Sequence, residues 1–99
     1  MNNDELQSYL SQVLTTTFIL DDGTRLKPIY IQWKDLSPEQ TQVALAAIKR
    51  VVTEELKNLS AGSRLRLEFN EIPDELDEML AGIAGRDNKE FEWTQLGAR

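Results

Sequence analysis

The sequence predicts an α+β fold: a two-layer sandwich with a four-stranded mixed sheet and helices packed on it, in the order α-β-β-α-β-α-β. Two observations carry this. Segments with helical apolar spacing are interleaved with segments of strand-like alternation, and two of the strands are apolar on one face only, which calls for helices on one side of the sheet rather than both.

The elements follow in order. Leu6, Tyr9, Leu10, Val13 and Leu14 recur at helical spacing, so a first helix is expected from about Asp4 to Leu14, capped by Asn3. Thr15-Thr16-Thr17-Phe18-Ile19-Leu20 is β-branched and aromatic and favours a strand. Asp22-Gly23 suits a two-residue type I′ turn into a second strand from Thr24 to Trp33. That turn pairs Ile19 with Leu26 but sets Phe18 and Leu20 on the face of Arg25 and Lys27, so no single register suits every residue. Pro28 cannot donate to a ladder, and a bulge or edge position there would let Ile29, Ile31 and Trp33 turn inward.

Ser37-Pro38-Glu39-Gln40 opens a long helix with a capping box, running to about Leu59 and burying Ala44, Leu45, Ile48, Val51, Val52, Leu56 and Leu59. Gly62 ends the segment. Leu65, Leu67 and Phe69 alternate with Arg64, Arg66, Glu68 and Asn70 in a third strand. A short helix from Asp74 to Ala84 buries Leu76, Met79, Leu80 and Ile83, and Gly85 can end it. Phe91 and Trp93 then alternate with Glu90, Glu92 and Thr94 in a fourth strand, and the tail from Gly97 is expected to fray.

At 99 residues, a single domain spanning 1–99 is expected. So small a chain buries limited surface, so its stability is expected to be modest or shared with a second subunit. Seventeen acidic against eleven basic residues give a formal charge of −6, which opposes binding to a nucleic-acid backbone. No apolar run approaches a membrane span, and the polar, acidic start is unlike a signal peptide, so no membrane association and a cytoplasmic location are expected. Histidine and cysteine are both absent. That removes the commonest proton shuttle and the usual zinc ligands, and no serine or threonine has an imidazole to activate it. The expectation is a non-enzymatic protein without a cofactor.

The candidate contacts are acidic and aromatic. Glu71, Asp74, Glu75, Asp77 and Glu78 surround the start of the third helix. They would present an acidic face to a protein partner, hold a divalent cation, or simply complement the helix dipole. Tyr30 and Trp33, beside Lys34 and Asp35, are the best aromatic candidates for a partner contact, since both residue types are enriched at interface hot spots; the competing reading places them in the core. Arg25, Lys27, Arg64 and Arg66 would form an anion site if they converged on one sheet face, whereas Glu68, Glu90 and Glu92 would neutralise the arginines by cross-strand pairing. Together these features predict a small acidic interaction module, an adaptor or regulator that is a homo-oligomer, specifically a homodimer, and whose protein partner the residues do not identify. The alternatives are an acidic antagonist of a nucleic-acid enzyme, of the immunity-protein, antitoxin or phage-inhibitor type, and a carboxylate-based metal-binding or small-ligand domain.

Overall fold

A computed structural model describes residues 2–84 and 90–96. The expected end of the last helix at Gly85 and the tail from Gly97 lie outside the described residues. The element order is α1 (Asn3–Thr15), β1 (Phe18–Ile19), β2 (Arg25–Ile29), a 3-10 turn (Trp33–Asp35), α2 (Pro38–Lys57), β3 (Leu65–Phe69), α3 (Asp74–Ala84) and β4 (Phe91–Gln95). The sheet runs β1-β2-β3-β4, with β1 antiparallel to β2 and the other two pairings parallel. It is the expected mixed sheet with helices packed on it.

Both helix starts follow from local chemistry. The α1 cap is Asn2, one residue before the expected Asn3: its Oδ1 accepts the Glu5 N–H at 2.8 Å, and its amide donates to the Glu5 carboxylate. Asn3 is thereby free to accept from Gln40 Nε2 at 2.8 Å. Gln40 also accepts the Ser37 N–H, so the capping box of α2 is formed as expected and the same side chain ties the two helix starts together.

The hairpin differs from expectation. Leu20 N–H bonds to Thr24 O and Gly23 N–H to Leu20 O, which leaves Asp21-Asp22-Gly23 as a three-residue loop with Gly23 at φ 88°. This is a type I turn closed by a left-handed glycine, and the Asp22 carboxylate fixes it by accepting the Thr24 N–H at 2.9 Å. The longer loop shifts the register by one, so Phe18 faces Leu26 and Ile19 faces Arg25.

The second strand also ends early. β2 stops at Ile29, and Trp33 lies in the 3-10 turn rather than in the strand. Arg25 N–H bonds to Arg64 O on the β3 side, so by alternation the nitrogen of Pro28 points the other way, past the end of β1 where no ladder partner is needed. No face switch is required at Pro28. Asn70 extends the β2–β3 pairing beyond the strands: its side-chain amide accepts the Ile31 N–H at 3.0 Å and donates to Ile31 O at 3.1 Å.

The core is one cluster between the helices and the inner sheet face. Leu6, Leu10 and Leu14 of α1, Ala44, Leu45, Ile48 and Val52 of α2, and Leu76 and Leu80 of α3 meet Ile29, Leu65, Leu67, Phe69 and Phe91. The period-two alternation of β3 is reproduced in full, with Leu65, Leu67 and Phe69 at 0% exposure and Arg66 and Glu68 half-buried on the opposite face.

Candidate interaction surface

No helix among the described residues packs on the outer face of the sheet. The hairpin register sets Phe18 beside Leu26 there, and the two-residue period adds Pro28, with Tyr30 just beyond the strand. Phe18 is 53% exposed and Tyr30 42%. This apolar column is flanked on β3 and β4 by charges that satisfy one another. Arg66 Nε and Arg64 Nη2 converge on one Glu92 oxygen at 2.7 and 3.2 Å, and the Tyr30 hydroxyl donates to the Glu68 carboxylate. The ion pairs are well exposed, so each contributes about 0–1 kcal/mol.

Tyr30 is held at its backbone as well. The Tyr9 hydroxyl, reaching from α1, accepts the Tyr30 N–H at 3.1 Å and donates to Tyr30 O. A single phenol thus stands in for the strand that β2 lacks beyond β1. Burial raises the Tyr9 phenol above the ordinary tyrosine range, opposed in part by its backbone hydrogen bond, and the bond to Glu68 raises that of Tyr30. These are the two tyrosines of the chain. An absorbance titration is therefore expected to show phenolate forming later than in free tyrosine, with Glu68→Gln moving the Tyr30 step back down. Because both folded-state values lie above the unfolded one, this contribution to stability is complete below about pH 10 and is lost as pH rises through the shifted values.

Of the aromatic candidates, Tyr30 is at the surface and Trp33 is not. Trp33 is 6% exposed in the core cluster, and its indole N–H has no hydrogen-bond partner among the described residues. The 3-10 turn, rather than strand alternation, directs it inward. Glu71, Asp74, Glu75 and Glu78 are exposed, while Asp77 is half-buried and accepts the Trp93 indole N–H at 2.9 Å. Glu75 accepts from Gln42 of α2 at 3.3 Å. A shallow depression of about 300 Å³ brings Trp33, Glu71 and Glu75 together beside Lys34 and Pro73, away from the Tyr30 column. Among the described residues, no group of three or more acidic side chains is placed to hold a metal ion.

The four basic sheet residues do not converge. Arg64 and Arg66 lie on the outer face against Glu92, the cross-strand neutralisation weighed above, whereas Arg25 and Lys27 point to the helix side. Lys27 is 1% exposed. Its ammonium donates to Leu14 O at 2.8 Å and Thr17 Oγ1 at 2.7 Å and lies 3.5 Å from Glu55 Oε1, so it closes the C-terminus of α1 from inside the fold. Arg25 shares Glu55 at 3.3 Å. Above this cluster the hairpin and the last turns of α2 enclose a cleft of about 860 Å³, with Arg25, Arg50, Glu54, Glu55 and Ser63 among its walls. Sequence reasoning missed Lys27 as a buried group. The available signal was its position two residues before Ile29, on the face that must be buried.

The chain matches no family model, no curated protein and no solved structure in the comparisons made. No helix among the described residues is long and apolar enough to cross a membrane.

Proposed function

We propose that the protein is a non-enzymatic interaction module, an adaptor or regulator that self-associates and docks a protein partner on the helix-free face of its sheet. The supporting observation is the Phe18-Leu26-Pro28-Tyr30 column on a face that no described helix covers. Exposed aromatic residues flanked on one side by neutralised charge suit the apolar-centre and polar-rim organisation of protein interfaces. Cytoplasmic residence and the lack of a nucleic-acid partner belong to the same reading, resting on the cysteine-free composition and the charge of −6.

The test is capture of partners from native extract on the immobilised protein, compared with Phe18→Asp and with Tyr30→Ala. A stoichiometric partner retained by the parent and lost from both variants is the expected result. Capture that neither substitution alters, or no captured partner at all, overturns the docking face.

A second reading, the acidic antagonist, is favoured by the exposed carboxylates of Glu71, Asp74, Glu75 and Glu78 at one end of α3. Their field would steer a basic partner and make association salt-sensitive. In that case capture would fall steeply with salt and with Asp74→Asn and Glu78→Gln, while Phe18→Asp left it intact.

A further inference from the structure

The two edges of the sheet are finished differently. On the β1 side, the edge strand has only two residues, Pro28 supplies no N–H, and the Tyr9 hydroxyl occupies the backbone groups of Tyr30. These are devices that stop a sheet edge from pairing with another chain. Among the described residues, the β4 side has none of them. Leu65 N–H bonds to Glu90 O and Leu96 N–H to Phe69 O, so the even-numbered residues of β4 face β3. By alternation the N–H and C=O groups of Phe91, Trp93 and Gln95 point away from the sheet, and no described residue takes them.

We infer that this edge pairs with β4 of a second copy of the chain, antiparallel about a two-fold axis at Trp93, to make one continuous eight-stranded sheet. The inference deepens the self-association part of the proposed function and rests on it. Centred on Trp93, the pairing sets Trp93 against the partner's Trp93 and Phe91 against the partner's Gln95. All three outward-facing residues then exchange both of their hydrogen bonds with the partner strand. On the outer face the same register sets Glu92 against the partner's Thr94, so no like charges meet. Moving the axis to Glu92 would oppose two carboxylates, and moving it to Thr94 would carry Phe91 past the end of the partner strand. On the inner face, half-buried Trp93 gains an aromatic neighbour; it already lies 5.1 Å from the Phe91 ring and is held by Asp77. Every described helix packs on the inner face, so the outer faces of the two copies would join into one wider docking surface.

Sedimentation of the full chain across a concentration series reads the assembly directly, and a dimer is expected. Gln95→Pro removes an N–H that faces away from β3, so the internal ladder survives, and it should weaken the dimer by roughly tenfold or more. Because the chain has no cysteine, Glu92→Cys and Thr94→Cys can report the register. Directly opposed residues in such a non-hydrogen-bonded pair lie about 4.5 Å apart between Cα atoms, within disulfide range. Each variant alone should stay uncrosslinked on mild oxidation, and an equimolar mixture should give a covalent dimer. A dimer that tolerates Gln95→Pro and yields no mixed disulfide overturns the β4 interface while leaving self-association standing. A monomer at every concentration overturns both, and leaves the docking of a different protein on the outer face to its own test.

Discussion

Lys27→Met is expected to destabilise the fold by about 2–4 kcal/mol, although it preserves most of the side-chain volume. The ammonium is buried, so its removal leaves Leu14 O and Thr17 Oγ1 without their donor and deprives Glu55 of one of its two cations. Breaking a buried pair from one side costs about 3–5 kcal/mol. The lower figure applies here because Glu55 is partly solvated and keeps Arg25. Urea denaturation should show the midpoint falling with an unchanged slope. Lys27→Met combined with Glu55→Gln should cost less than the sum of the two single losses, since both single variants break the same ion pair. A single-variant loss below about 1 kcal/mol would mean that the ammonium contributes little to holding α1.

Phe69→Ala is expected to cost about 3–5 kcal/mol, the range for emptying a buried aromatic site. Phe69 is fully buried, on a strand paired on both sides and at the centre of the one core cluster. Against a typical total of about 5–15 kcal/mol for a domain, the variant should melt at least roughly 12 °C lower, or fail to fold. Phe18→Ala makes the matching control: the same substitution at a residue 53% exposed should cost no more than about 1 kcal/mol. Equal losses at the two positions would contradict the assignment of inner and outer faces.

The elements themselves were legible because their signals are local. The capping box at Ser37 and Gln40, the alternation from Arg64 to Asn70 and the apolar spacing of α1 and α3 each depend on residues within a turn or two of one another. The surface was legible only in part. Tyr30 is exposed as a contact residue must be, whereas Trp33 is in the core, inward as the competing reading had it, but through a 3-10 turn rather than a continued strand. The acidic group around α3 is real as sequence but divided in space: Asp77 is held by Trp93 and Glu75 reaches Gln42.

By itself the sequence determined the number and order of the α-helices and strands, the charge of −6 and the lack of imidazole and thiol side chains, because these depend on composition and short-range periodicity. Only the tertiary structure decided the strand order, the one-residue shift of the hairpin register and the fates of the four basic sheet residues. Which face a strand residue occupies depends on how a distant strand pairs with it. A shift of one residue moves every side chain to the other face. That is why Lys27 closes a helix inside the core while Arg66 pairs with Glu92 at the surface.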